Sequence, residues 1–372
     1  MKKIIFAVTT DLNYDQRMHR ICGSLQRRGY AVSLVGREWK KSEPLSPQPY
    51  HQHRLKCYFQ KGKLFYLEYS LRLWIYLAGR TYDAYCAVDL DTALPLYFRA
   101  RFAGSLFGYD AHEYFPETPE VTNRPGVKKV WATVEKLVVP RTDFAYTVSA
   151  SIARVFTEKY GRPFAVIRNI SLYRPFAPLV KPEKYILYQG ALNEGRGLEV
   201  LLLAMPTVEA RLVICGEGDL SERLQLQARE LGLGEKVNFK GFLLPEELLS
   251  ITRGAWVGVM LLENKGLSYY YSLSNKFFDY VHAGLPQVAV DFPEYRALNE
   301  QYGVADLVGL DPAAISKALN RLLLDEDHHA KLAQNCERAR QELTWQREEQ
   351  KLVALYEQLW EKKTPIMESA ST

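Results

Sequence analysis

Short apolar runs alternate with amphipathic stretches along the whole chain. In the first half KIIFAV (3–8), AVSLVG (31–36), AYCAV (84–88), SLFGYD (105–110), FAYTVS (144–149) and FAVIRN (164–169) are too short for helices and rich in β-branched or aromatic residues. They read as buried strands. Helical spacing fills 15–28 and 126–139 between them. The second half repeats the alternation. KYILYQG (184–190), ARLVICG (210–216), VNFKGF (237–242) and WVGVMLL (256–262) read as strands, and ALNEGRGLEVLLLAM (191–205) and SERLQLQARELG (221–232) read as loop-and-helix and helix.

Continuous apolar strands separated by helices pair in parallel and are covered on both faces. The pattern therefore predicts an α/β protein of two successive Rossmann-like, doubly wound domains facing a cleft, with ligands at the carboxyl ends of the strands. The first domain is placed at 1–172 and the second at 173–343, with the boundary in NISLYRPFAPLVKPEK (169–184), which holds three prolines and no clear periodicity. A further helix is predicted over 344–360 and a polar tail over 361–372. KLFYLEYSLRLWIYLAGR (63–80) is helical, aromatic and basic at both ends. A helix apolar almost all round is expected to be buried, and docking on a membrane surface is the alternative.

SLSNKFFDYVHAGLP (272–286) combines a polar helix start, an apolar stripe of Phe277, Phe278 and Val281, and an exit at Gly284 and Pro286. Asn275 is the predicted N-cap. Lys276 and Asp279, three residues apart, are neighbours on the remaining face, beside a helix N-terminus that favours anions. A nucleotide diphosphate suits that arrangement. A capped helix with an acid in its first turn is the plainer reading.

The order of segments resembles the GT-B glycosyltransferases, specifically the retaining family 4, also called group 1. The resemblance rests on Gly195-Arg196-Gly197, Gly216-Glu217-Gly218 and Ala283-Gly284-Leu285-Pro286, which match the family's pattern by position. The family's paired glutamates stand eight positions apart, where this chain has Tyr271 and Asp279. Asn275-Lys276-Phe277-Phe278-Asp279-Tyr280 is closer to a sub-branch with N-K-x-F-[ED]-Y. The resemblance implies transfer of a sugar from a UDP- or GDP-linked donor to a glycan, lipid-linked or small-molecule acceptor, with retention and without a metal or other cofactor. It also implies that the terminal helix crosses back to the first domain.

On that resemblance Lys276 and Arg196 meet the diphosphate and serve leaving-group departure, with Gly190, Gly195, Gly216, Glu217, Ser274, Asn275 and Asp279 on the donor. Two glycines around Arg196 let a backbone approach a ligand, and a guanidinium can clamp phosphate. A solvated arginine at a helix start is the alternative. The family's other basic residue after Gly190 is Ala191 here. His112 and Glu113, in GYDAHEYFPETPE, follow a strand of the first domain. His112 is expected to contact sugar or acceptor, against the alternative of a capped loop histidine. Asn13, Asp15 and Arg17 are acceptor-side candidates, although Asp15 reads equally well as a helix cap.

At 372 residues the chain is comfortable for two domains, and 47% hydrophobic with 24% charged residues is ordinary for a folded globular protein. A net charge of +5 from interspersed residues argues against nucleic-acid binding. Five dispersed cysteines without C-x-x-C suggest reduced thiols in a cytoplasmic protein, working if need be at the inner face of a membrane. The apolar run at 4–8 is short and Asp11 follows, so a first strand is expected rather than a secretory leader, and no run approaches a membrane span. Rival readings are another nucleotide-sugar chemistry, epimerase or hydrolase in type, and a catalytically silent binding protein. A dinucleotide-binding enzyme is disfavoured, since no strand is followed by G-x-G-x-x-G.

Overall fold

The computed structural model describes residues 1–175 and 183–363. Part of the predicted linker, 176–182, and most of the predicted tail, 364–372, lie outside the described residues. The chain forms two compact units, one of Met1–Arg168 with the segment from Glu348 on, the other of Asn169–Arg347.

In the first unit β1 (Lys3–Ala7), β2 (Ala31–Glu38), β3 (His51–Lys56), β4 (Ala84–Val88), β5 (Leu106–Ala111), β6 (Phe144–Thr147) and β7 (Ala165–Val166) form one sheet in the order β3-β2-β1-β4-β5-β6-β7. Every pairing is parallel. Ile4, Ile5 and Phe6 of β1 and all of β4 are sealed from solvent, as expected of central strands covered on both faces. Tyr356 of the Trp345–Lys363 helix packs against Phe144 with ring centroids 5.1 Å apart, which anchors that helix to this unit.

The second unit holds β8 (Tyr185–Gln189), β9 (Arg211–Cys215), β10 (Val237–Gly241), β11 (Val257–Met260), β12 (Gln287–Val290) and β13 (Ala305–Val308), ordered β10-β9-β8-β11-β12-β13 and again wholly parallel. Apolar clusters cover both faces of the sheet, one around Leu198, Leu201 and Ile214, the other around Phe277, Val281 and Tyr295. In each unit the strand order reverses beside the first strand. That switch point, between β1 and β4 and between β8 and β11, opens a crevice at the carboxyl edge.

Three expectations change. Asn275 is not the cap of its helix: Ser274 is, in extended conformation, and Asn275 is the exposed first helical residue. The run at 164–169 gives only the two-residue β7, because the Ile167 carbonyl goes to Arg17 instead of extending the ladder. The helix over Gly62–Leu77 is not buried all round. Phe65, Tyr69, Leu73 and Leu77, spaced by four, face inward, and Leu64, Leu67, Leu71 and Ile75 on the opposite side meet solvent.

Candidate functional site

At the switch point of the second unit β8 is followed by Gly190, whose φ of 124° a side chain would strain. Its amide donates to the Cys215 carbonyl at 2.9 Å, so the ends of β8 and β9 touch. A Cβ on Gly216 would stand 2.0 Å from the Gly190 oxygen, so that close approach requires glycine. Gly195 lies in the following loop, where its carbonyl accepts from the Glu263 amide at 2.9 Å.

The Asn275–His282 helix brings its N-terminus to this edge because Phe277, Phe278, Tyr280 and Val281 are buried against the sheet. Tyr280 fixes the contact by donating to the Leu187 carbonyl at 3.2 Å. Lys276 is thereby drawn into the protein. Its Nζ donates to the Tyr188 hydroxyl at 2.9 Å and lies 4.0 Å from that ring's centroid. A Cβ on Gly190 would be 3.6 Å from the same Nζ, so the lysine points at bare backbone. Arg196 stacks near Tyr269 at 5.2 Å. Neither cation forms an ion pair among the described residues. Burial, with the charge of Arg196 added and Asp279 opposing, pulls the Lys276 ammonium down to about 7. Two basic side chains without a paired carboxylate among the described residues, a helix N-terminus and the exposed backbone of Gly190 form an arrangement suited to an anion.

Asp279, one turn further on, is half-buried. Its carboxylate accepts from Ser171 Oγ and Gln189 Nε2, both at 3.3 Å, and Gln189 in turn accepts from Thr252 at 2.7 Å. Gly216 and Glu217 line a neighbouring cavity of about 650 Å³ with Gly218, Phe239 and Lys240. Ser274 presents its amide to the Tyr295 hydroxyl at 3.0 Å. The structure thus gathers Gly190, Arg196, Lys276 and Asp279 at one edge, with Gly216 joining them to the Glu217 cavity. Tyr188, Gln189 and Lys240 were missed in the sequence. The polar Gln189 closing an apolar strand just before Gly190 was the available signal.

The first unit collects a different set. Arg17 is buried, with its guanidinium on Asp110 at 2.8 Å and on the Ile167 carbonyl at 2.8 Å. His112 Nε2 lies 2.8 Å from Arg17 Nε and 3.1 Å from Asp110 Oδ2. One nitrogen cannot serve both at once: the neutral ring accepts from Arg17, and the protonated ring donates to Asp110. Burial lowers the His112 pKa, but the Asp110 charge and hydrogen bond outweigh it and leave it raised. For Asp110, burial pushes up and Arg17 with His112 pull further down, so its carboxyl is lowered.

Asp89 at the end of β4 has φ 56° and ψ 178°, the one non-glycine residue with positive φ among those described. Its carboxylate accepts from the amides of His112 at 2.9 Å and of the exposed Glu113 at 3.3 Å. Backbone strain at a strand's carboxyl end, used to hold a histidine loop, is the kind of cost found at functional sites. Asp15 caps the Gln16–Arg27 helix through the Met18 amide and also accepts from Thr10. Asn13 braces the 44–46 loop, donating to the Pro44 carbonyl at 2.8 Å and accepting from the Ser46 amide at 2.9 Å. The polar groups of Asn13 and Asp15 are therefore engaged within the chain. Among the described residues no cluster of three or more histidine, cysteine or acidic side chains could hold a metal ion.

Residues 170–339 match the family described as glycosyl transferases group 1, and residues 14–171 match the glycosyl transferase 4-like domain. The two matches overlap at 170–171 and together span 14–339, most of both units. The chain belongs to the group 1 glycosyltransferases.

Within that family it is 30% identical over 192 residues to the D-inositol 3-phosphate glycosyltransferase of Corynebacterium jeikeium, covering 47% of this chain and 44% of the relative. The chain spans under half the length of the curated relatives it matches. Sucrose-phosphate synthase from Thermosynechococcus elongatus superposes with a TM-score of 0.82 at 18% identity, over 97% of this chain and all of that one. HepE of Anabaena, solved with UDP and glucose, gives 0.72 at 14% identity over 98% and 100%. At these identities the likeness is one of fold: two Rossmann-like units of the GT-B type.

Proposed function

We propose that this group 1 glycosyltransferase moves a sugar from a nucleotide diphosphate sugar to a glycan, lipid-linked or small-molecule acceptor, with retention. The second unit is read as the donor side and the first as the acceptor side. The observation that carries the reading is Lys276: a buried ammonium at a helix N-terminus, beside Gly190 and Arg196, with no carboxylate paired to it among the described residues. In the transfer the bond from the anomeric carbon to the diphosphate oxygen breaks, and the nucleoside diphosphate leaves with the electron pair. The acceptor hydroxyl oxygen bonds to the anomeric carbon and gives up its proton to the departing diphosphate, whose oxygen holds the electron pair of the broken bond. Charge grows on the leaving diphosphate, where prepositioned cations and amides stabilise the transition state.

In this reading Arg196 and Lys276 bind the diphosphate together with the Ser274 hydroxyl and the Asn275 amide at the helix end, the Ser274 amide being held by Tyr295, and Asp279 accepts from ribose hydroxyls. Gly190 presents bare backbone to the donor, Gly195 and Gly216 allow the close packing of the loops around it against Tyr269 and Gly190, and Glu217 belongs to the same subsite. His112 contacts a hydroxyl of the sugar or acceptor, with Glu113 beside it. Arg17 acts through His112. The cations and helix end take the role a divalent metal would fill, so turnover is expected without one. A UDP donor is tested first because HepE of Anabaena was solved with UDP and glucose. The protein is placed in the cytoplasm, in contact with a membrane face where a lipid-linked acceptor would be met, and not on nucleic acid.

The test is a thermal-shift screen with UDP, GDP and their sugars, followed by acceptor-dependent release of nucleoside diphosphate in excess EDTA. A nucleotide at ~100 times its dissociation constant raises stability by about 2.7 kcal/mol, which the screen resolves. Release that depends on added magnesium would overturn the metal-free part. Binding without release on any acceptor would favour a silent binding protein, for which Tyr271 in place of the family's first glutamate is the supporting observation.

A further inference from the structure

The Gly62–Leu77 helix is apolar on two opposite sides, and among the described residues only one of them packs into the core. Phe65, Tyr69, Leu73 and Leu77 belong to the core of the first unit. The other side shows Leu64, Leu67, Leu71, Trp74 and Ile75 to solvent, each between 36% and 69% exposed. Trp74 meets Phe102 of the Ala93–Ala103 helix edge-on at 6.0 Å, and Phe102 is itself 74% exposed, so the patch runs across two helices. Single exposed apolar residues need no explanation; a continuous aromatic and leucine face marks an interaction site.

The charges around it select the partner. Lys61 and Lys63 at the start of the helix and Arg101 on its neighbour are exposed and form no ion pair among the described residues. Between Lys61 and Arg80 the only acid is Glu68, and it is already bonded to Arg72 at 2.8 Å. The Ala93–Ala103 helix carries Arg99 and Arg101 and no acid. A second copy of this chain docked face to face would set these cations against their own equivalents. An anionic lipid surface neutralises them while the leucines enter the headgroup boundary. With 16 residues the helix is too short to cross a bilayer, and among the described residues no helix is long and apolar enough to do so.

We infer that the outer face of the Gly62–Leu77 helix, continued by Phe102, is a docking surface for an anionic bilayer, on which the helix lies in the interfacial plane. This deepens the proposed membrane contact and rests on that reading.

The experiment is flotation of the full chain with vesicles of phosphatidylcholine, with and without phosphatidylglycerol. Binding to the anionic vesicles only, weakened by added salt, is expected. Leu67→Glu with Leu71→Glu should weaken it by about tenfold or more, since two leucines no longer enter the interface. Lys63→Glu with Arg101→Glu should weaken it by on the order of tenfold. All four positions are solvent-exposed, and an unchanged melting temperature and nucleotide-induced shift certify that each variant is folded. Absence of vesicle binding by the wild type, or equal binding by the Leu67→Glu, Leu71→Glu variant, overturns the inference. So does a dimer that this variant dissociates while vesicles are ignored, since a second copy then covers the face. Vesicle binding by a wild type that shows no nucleotide shift supports the surface while removing the transferase reading, so the two fail separately.

Discussion

The Lys276 ammonium lies 2.9 Å from the Tyr188 hydroxyl and 4.0 Å from the centroid of the same ring. One hydroxyl and a π-face replace only part of the hydration the cation has lost, and among the described residues no carboxylate completes the exchange. The folded chain therefore holds this lysine near 7, against roughly 10.4 when unfolded. Between those values the unfolded state binds more protons, so stability rises with pH across the window and the penalty is complete below about pH 7. Lys276→Met should be more stable than the wild type at pH 6 by on the order of 2 kcal/mol, with the gap closing toward pH 10. Denaturant titrations at the two pH values check it; a variant less stable at pH 6 than the wild type would show that the lysine is not penalised.

That cost in stability is expected to return as catalysis. Lys276→Met and Arg196→Ala should each raise the barrier to acceptor-dependent release by about 3 to 4 kcal/mol. Because an anion favours the charged lysine, affinity for a nucleoside diphosphate should fall as pH rises above about 7. Binding at pH 8 should take up a proton, visible by calorimetry as a dependence on buffer ionisation enthalpy. Wild-type turnover in either variant would remove the assignment.

Much of this arrangement was legible because central parallel strands are apolar throughout: β1, β4, β8 and β9 announce themselves. β3 did not, since HQHRLK is an edge strand with only Leu55 buried, and its pairing with β2 supplies what its composition lacks. β12 and β13 are four residues each, too short to show a period. Lys276 and Asp279 could be paired from helical spacing alone. Tyr188 could not be joined to Lys276, because their contact depends on how the helix docks across the sheet. The strain at Asp89 leaves no mark in the sequence either, since any residue type can precede a loop.

Asp279 keeps both oxygens engaged through Ser171 and Gln189 at 3.3 Å, long contacts that a pair of ribose hydroxyls could replace. Asp279→Ala should raise the apparent Michaelis constant for the donor about tenfold or more, with stability lowered by only about 0.5 to 1.5 kcal/mol for the lost hydrogen bonds. Asp279→Glu should keep more activity than the alanine variant. Equal affinity of wild type and Asp279→Ala for the nucleoside diphosphate, measured by calorimetry, would assign this carboxylate to the helix dipole instead.

Asp91, at the switch point of the first unit, accepts from Thr9 at 2.5 Å, yet burial pushes its carboxyl up to about 6. The folded chain holds that proton more tightly than the unfolded one, so stability falls as pH rises from roughly 4, the unfolded value, to about 6. Asp91→Asn keeps an acceptor for Thr9 and carries no charge. Its stability should vary less over that range and exceed the wild type's above pH 6 by on the order of 1 kcal/mol. Parallel pH profiles for the two proteins would show that Asp91 does not titrate there.

Arg17 and Asp110 form a buried ion pair that also sets the state of His112. Removing one partner strands the other, so Arg17→Met should cost about 3 to 5 kcal/mol, and Arg17→Met with Asp110→Leu less than the two single changes summed. The pH signs are opposite. Asp110, lowered in the fold, contributes stability above the ordinary carboxylate range and loses it as pH falls through its depressed value. His112, raised in the fold, contributes below roughly 6.5 and loses that contribution as pH rises through its elevated value. Asp110→Asn removes the charge that holds the imidazolium, so the His112 limb of the kcat/KM profile should move to lower pH by about one unit or more. A structural role alone would lower expression and melting temperature and leave that limb where it stands. An unmoved limb in a folded Asp110→Asn protein would exclude His112 as the group that titrates in turnover.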